Sequence, residues 1–195
     1  MTASDAKSLP SIGFLTVQDY NELGLIGGYL VLNSLGRPLE FHCTAPVRPN
    51  RAQEILYGPT LEPYLYGEQI GQTLVSKGKH EPLFICTDVA PAIALREHIR
   101  QPVVLLTPRT VDPIDEPGAP RLRVDAQHPA PPRPTTRFKR FELAGYPAAV
   151  SLRRPEDCQT IVQQWQSHVD ELDLMEPFAR LREAINETQA GASRS

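Results

Sequence analysis

The sequence predicts an α/β protein: a mixed sheet with a βαβ core and a β-hairpin, followed by a C-terminal hairpin and amphipathic helices. Three observations carry this. Two continuous apolar runs, 82–87 and 102–106, flank one helical stretch, the pattern of a buried parallel strand pair. Two β-patterned runs meet at Asn33-Ser34-Leu35-Gly36, a hairpin signal. Beyond Pro155 the apolar residues recur at helical spacing.

After a start, residues 1–10, expected to be disordered, a first strand is expected over 12–17. Gly27-Gly28 opens a strand at 29–32, and its hairpin partner runs over 37–43. Alternation there puts Leu39, Phe41 and Cys43 on one face and Glu40 and His42 on the other. Asn50 is placed to cap a short helix through Tyr57, which Gly58-Pro59 ends. Thr60 is expected to cap a longer helix over 61–76, with Pro63 in its first turn. Gly67 and Gly71 share a face of it and would let another element approach closely. Between the two apolar runs, Asp88 is expected to cap a helix through Arg100, with Pro91 in its first turn. The order hairpin, helix, βαβ resembles the layout of small α/β adaptor or sensor domains of the roadblock/longin class. No motif accompanies that likeness, so it implies a layout and no function.

The α/β domain is thus expected over 11–107. From 108 to 136 periodicity ends and prolines crowd together (Pro108, Pro113, Pro117, Pro120, Pro129, Pro131, Pro132, Pro134), as in an extended linker or long loop. Residues 137–187 read as a hairpin around Gly145-Tyr146-Pro147 plus two helices. Cys158, Ile161, Val162, Trp165, Val169 and Leu172 stripe the first; Leu174, Phe178, Leu181 and Ile185 line the second. Asp173 and Glu176 have the spacing of a capping box. A unit of this size is marginal alone and should dock on the first domain or on a partner, with a loose tail over 188–195.

Composition narrows the function classes. The 195 residues are 41% hydrophobic and 22% charged with net charge -3, so a whole-chain grip on nucleic acid or acidic lipid is not expected. No apolar run reaches the roughly 18 residues a spanning helix needs, and the first residues lack the apolar core of a secretion signal. Three widely spaced cysteines, Cys43, Cys86 and Cys158, suggest reduced thiols, and the cytoplasm is the expected compartment. Phosphate-cradling glycine loops, a serine elbow and Cys-x-x-Cys or His-Glu-x-x-His spacings are missing, so neither cofactor nor metal is expected.

The candidate residues fall into three groups. Cys86, Thr87 and Asp88 end a parallel strand, where open α/β sheets bind small ligands, and His42 could reach in from the hairpin; the plainer reading makes Cys86 core and Thr87 and Asp88 caps. His42 and Cys43 point to opposite faces of one strand and cannot form a dyad there. Tyr57, Tyr64 and Tyr66, with Arg48 and Arg51 nearby, are the residue types that interfaces favour. Arg121, Arg123, Arg133, Arg137, Lys139 and Arg140 are the basic concentration. The expected function is a non-catalytic protein-interaction or adaptor module, engaging another chain or a second copy. Alternatives are a small-ligand binder or enzyme at Cys86-Thr87-Asp88, and nucleic-acid contact through the basic linker.

Overall fold

The computed structural model describes residues 9–21, 23–109, 138–168 and 172–192. Its centre is one seven-stranded mixed sheet, ordered β3-β2-β1-β4-β5-β7-β6. The strands are β1 (Ser11–Asp19), β2 (Leu25–Asn33), β3 (Pro38–Cys43), β4 (Ile85–Thr87), β5 (Val103–Leu106), β6 (Phe138–Leu143) and β7 (Tyr146–Ser151). β1, β4 and β5 run parallel in the middle, and antiparallel hairpins extend the sheet on both sides. The expected mixed α/β architecture is therefore present. The second hairpin joins the same sheet, because β7 bonds β5 through Leu105↔Ala149 and Leu106↔Ala148.

Both faces of the sheet are covered, which is why β2 is buried at every position and reads as one apolar run. On one face Leu15, Tyr29, Val31, Ile85 and Val103 meet Leu65, Ile70, Leu74, Ile93 and Leu95. On the other, Ile12, Phe14, Leu30, Cys86 and Val104 meet Trp165, Phe178, Leu181 and Ile185. Gly27 and Gly28 do not precede β2 but lie inside it. Successive residues face opposite layers, so each layer gets one glycine. A Cβ on Gly27 would fall on Ile70 Cγ2, and one on Gly28 would lie 2.6 Å from Ile185 Cδ1.

The first helical layer begins with α1 (Arg51–Tyr57). Its cap is the expected one: the Gln53 N–H donates to Asn50 Oδ1 at 2.9 Å, and the Asn50 N–H donates to Gln53 Oε1 at 3.0 Å. A 3-10 turn, Gly58–Thr60, leads into α2 (Leu61–Pro63), a π-helical stretch Tyr64–Gln72 and α3 (Thr73–Lys77). Thr60 does not cap this run; its hydroxyl donates back to Tyr57 O at 2.8 Å. Gly67 serves the close approach its position suggests, since a Cβ there would lie 2.7 Å from the backbone nitrogen of Leu95.

Three local expectations are corrected. The β4–β5 crossover is a 3-10 helix, Ala90–Glu97, and not an α-helix to Arg100. At about 2.0 Å rise per residue it covers more length than α winding would, which suits a short crossover pressed against Gly67. Asp88 does not cap it, for Val89 holds the cap position without a side-chain bond, and Asp88 turns to Arg182. In β3 the register passes from Val31↔Glu40 to Leu32↔Pro38, a bulge that turns Leu39 away from the Phe41 face onto the opposite core.

β6 and β7 join at Ala144-Gly145, both at positive φ (52° and 75°), the geometry a two-residue hairpin turn requires. The second layer is α4 (Asp157–His168) and α5 (Glu176–Ala192). Ile161 and Trp165, then Leu174, Phe178, Leu181 and Ile185, are buried as the stripes predict, while Val169 lies outside the described residues. Asp173 Oδ1 caps α5, accepting from Met175 N at 2.8 Å and Glu176 N at 3.3 Å. α5 continues to Ala192, beyond the expected end of order at 187, because Glu187, Gln189 and Ala190 are good helix formers. Most of the proline-rich stretch, 110–137, lies outside the described residues. Among the described residues no helix is long and apolar enough to cross a membrane.

Candidate functional site

At the carboxyl end of β4, Cys86 and Thr87 are fully buried. Burial pushes the Cys86 thiol well above its ordinary range, which removes it as a nucleophile near neutrality. Thr87 Oγ1 accepts from Val89 N at 3.3 Å and tightens the turn. Asp88 is 5% exposed and paired through Oδ2 with Arg182 of α5, while its Oδ1 has no protein partner. The carboxylate thus ties the end of β4 to the second helical layer.

His42 does not reach this crevice. β3 is separated from β4 by β2 and β1, and His42 lies opposite Tyr29 on the other face. Cys43 points away from it, with Sγ 3.9 Å from Thr188 Oγ1 of α5, so the pair forms no dyad. His42 instead belongs to a clasp around Glu40. Glu40 Oε2 accepts from Lys79 N at 2.8 Å and Oε1 from His80 N at 3.2 Å. His42 Nε2 and His80 Nδ1 each lie 3.5 Å from Oε2. His80 is thereby drawn onto the sheet edge. Among the described residues no group of three or more His, Cys, Asp or Glu is arranged to hold a metal ion.

Burial alone would raise the Glu40 carboxyl, but the N–H groups of Lys79 and His80, with the two imidazoles, outweigh it and hold the group below its ordinary value of 4.5. The same carboxylate adds to burial in pushing the Tyr29 phenol upward. A carboxyl depressed by folding stabilises the fold above its unfolded pKa and loses that contribution as pH falls through the folded value. Glu40→Gln should therefore lower neutral stability by about 1–3 kcal/mol, the cost of weakening buried charge-assisted bonds. It should also flatten the decline in Tm below pH 4.5 relative to the native chain. Parallel Tm–pH curves for the two proteins would refute the clasp.

The tyrosine region is partly assembled. Tyr57 and Tyr64 stack with ring centroids 4.1 Å apart and an interplanar angle of 24°. A hydrogen bond with Tyr64 is the main cause pushing the Tyr57 phenol upward. Tyr66 is half-buried elsewhere, its phenol raised by burial and then by Glu62 and Asp19. Arg48 packs beside Gly24, and Arg51 pairs with Glu54 at 2.9 Å, so neither joins the ring pair. The rings border a groove of about 630 Å³ between the 57–68 helical stretch, the 90–97 segment and the end of β7. Pro63, Pro91, Ile93 and Leu152 give it an apolar lining.

Beside that groove α1 has no buried residue, and Ile55 and Leu56 are 65% and 82% exposed. Sequence reasoning passed over both, since seven residues are too few for a helical stripe to show which side faces water. It also missed Arg109, whose guanidinium lies 4.3 Å from the Tyr146 ring centre while Tyr146 donates to Asp173 at 3.0 Å. Of the basic group, Arg121, Arg123, Arg133 and Arg137 lie outside the described residues. Lys139 donates to Pro155 O at 3.1 Å, and Arg140 lines a depression with Arg109 and Glu142.

No protein-family model matches the chain, and a search of the curated proteins found no significant relative.

Proposed function

We propose that the protein is a non-catalytic interaction module whose docking face is α1 with the adjoining Tyr57–Tyr64 pair. The observation that carries this is the exposure of Ile55 and Leu56 on a helix that buries nothing of its own. A helix this short is not stable by itself in water, and its capping box and two large apolar side chains are best accounted for by a surface they meet. Tyrosine rings are enriched at the energetic centres of interfaces. The partner is another protein chain or a second copy. The crevice alternative rests on the unpartnered Oδ1 of Asp88, whose other oxygen is already engaged by Arg182 and whose neighbourhood lacks His42. It has less to recommend it than α1.

The test is Leu56→Asp, at a position too exposed to disturb folding. Self-association would be followed by sedimentation, and partner exchange by affinity capture with quantification of each retained protein. A hot-spot anchor should lose affinity by at least about tenfold, whereas Asp88→Ala should leave association unchanged. Association equal in the native chain and Leu56→Asp, or a monomer with no specific partner, would overturn the reading.

A further inference from the structure

We propose that β6 is a pairing edge for a second copy of the chain, joined antiparallel to that copy's β6 about a two-fold axis at Phe141. The surface is separate from the face of α1, so either reading can fail without the other.

The sheet has two ends, and only one is blunted. At β3 the outer strand carries Pro38 and a bulge, and Glu40 reaches across to the N–H groups of Lys79 and His80. Prolines, bulges and covering segments are the devices that stop an edge from pairing with another chain. β6 has none of them: Phe138–Leu143 contains neither proline nor glycine and pairs with β7 in unbroken register. Among the described residues β6 is bonded to β7 alone. A lysine is a common guard of such edges, but here it is turned back onto the fold, with Lys139 Nζ donating to Pro155 O at 3.1 Å.

Which backbone groups stand open follows from the hairpin. Pro147 O accepts from the Thr107 N–H at 3.0 Å, so residue 147 directs its carbonyl at β5 and away from β6. Glu142, opposite Pro147, must then direct its own N–H and C=O away from β7. Every second residue does the same, which adds Arg140 and Phe138. In an antiparallel pair the residues that exchange hydrogen bonds stand opposite each other, so a second β6 can join only by setting members of this trio face to face.

Charge then selects the register. An axis at Arg140 opposes two arginines, one at Glu142 two glutamates and one at Lys139 two lysines, each a like-charge pair. An axis at Phe141 sets Arg140 opposite the second copy's Glu142 and, by symmetry, Glu142 opposite the second copy's Arg140. Each of these pairs exchanges both backbone hydrogen bonds, and the two Phe141 rings meet as the closer, non-hydrogen-bonded pair between them. Arg140 and Glu142 are exposed and Phe141 is half-buried, so the contact needs no unfolding of either copy. The occupant is a second copy because Arg140-Phe141-Glu142, read backwards, is its own complement in charge. A two-fold closes on itself and leaves no β6 edge over, which gives a dimer and not a fibre.

The experiment is sedimentation equilibrium of the full-length chain over a concentration series. The native chain should dimerise, and Arg140→Glu and Glu142→Arg should each dimerise at least tenfold more weakly, because like charges then meet at both symmetric positions. The two single variants mixed should form a one-to-one heterodimer, an all-acidic edge against an all-basic one. Arg140→Glu combined with Glu142→Arg in one chain should recover the native dimer. By amide exchange, the Arg140 and Glu142 N–H groups should be protected in the native chain and exchange faster in either single variant. Leu56→Asp should leave this dimer intact; a dimer that it abolishes would belong to α1 and overturn edge pairing. The α1 reading is tested separately in the Arg140→Glu chain, where any association that Leu56→Asp weakens belongs to that helix. Edge pairing is equally overturned by a native chain monomeric throughout the series, by Arg140 and Glu142 amides protected in a monomer, or by single-variant losses that neither mixing nor the double variant repairs.

Discussion

Asp157→Ala should cost about 3–5 kcal/mol of folding stability, which for a chain of this size lowers Tm by roughly 6–20 °C. Asp157 is 5% exposed and receives Arg96 in a fork, with Nε donating to Oδ2 at 2.5 Å and Nη2 to Oδ1 at 3.1 Å. The remaining Arg96 nitrogen, Nη1, donates to Ile99 O at 3.0 Å. The arginine belongs to the 3-10 helix on one side of the sheet and the carboxylate to the first turn of α4 on the other. Removing the carboxylate leaves a cation only 14% exposed without its counter-ion, and that uncompensated charge is the source of the loss. Replacing both residues together, Arg96→Met with Asp157→Leu, should restore most of the stability, because no charge is then stranded. Thermal and urea denaturation followed by circular dichroism measure both effects. A single-variant loss below about 1 kcal/mol would mean the pair is solvated in solution. The pair also bears on the groove, since Glu97 beside Arg96 is one of its lining residues.

Phe178→Ala should be of similar size, about 3–5 kcal/mol. Phe178 is fully buried on α5 and meets Phe14 of β1 edge to face, with ring centres 5.6 Å apart and planes at 81°. Around it Leu174, Leu181 and Ile185 close the same face. Truncation removes the aromatic contact and leaves a cavity that strands on one side and a capped helix on the other cannot collapse to fill. Denaturant titration gives the stability change, and amide exchange tells where it is felt. A small change with α5 exchanging as freely in the native protein as in the variant would show that this layer is not part of the cooperative fold.

What sequence reasoning recovered depended on how local the physics is. The runs at 82–87 and 102–106 were recognisable because both faces of the central strands are buried, so no polar residue interrupts them. The α5 stripe was recognisable because one helix face meets a sheet and the other meets water. The Asn50 cap needed only its own three neighbours. The contacts that were missed join residues far apart in the chain: Arg96 with Asp157 (61 positions), Asp88 with Arg182 (94), and Glu40 with the Lys79–His80 backbone (39 and 40). Asp88 shows the difficulty well. A carboxylate after a strand and before a helix is the ordinary signature of a cap, and only α5, brought in from the far end of the chain, gives it another partner. The exposure of Ile55 and Leu56 was hidden for a different reason, since nothing local distinguishes a short helix that packs inward from one that stands clear.

The strand order also determines the sequence of events at the ribosome. β1, β2 and β3 are neighbours in the chain and can pair as soon as they are synthesised, but the second edge of β1 stays open until Ile85, Cys86 and Thr87 appear. The edge of β5 waits in its turn, through the entire proline-rich passage, before Ala148 and Ala149 arrive to cover it. During that interval the nascent protein presents an unpaired apolar strand, a template to which any other extended chain could add. Synthesis that stalls before β7 should therefore release an aggregation-prone intermediate, whereas a chain that has completed β7 has hidden that edge.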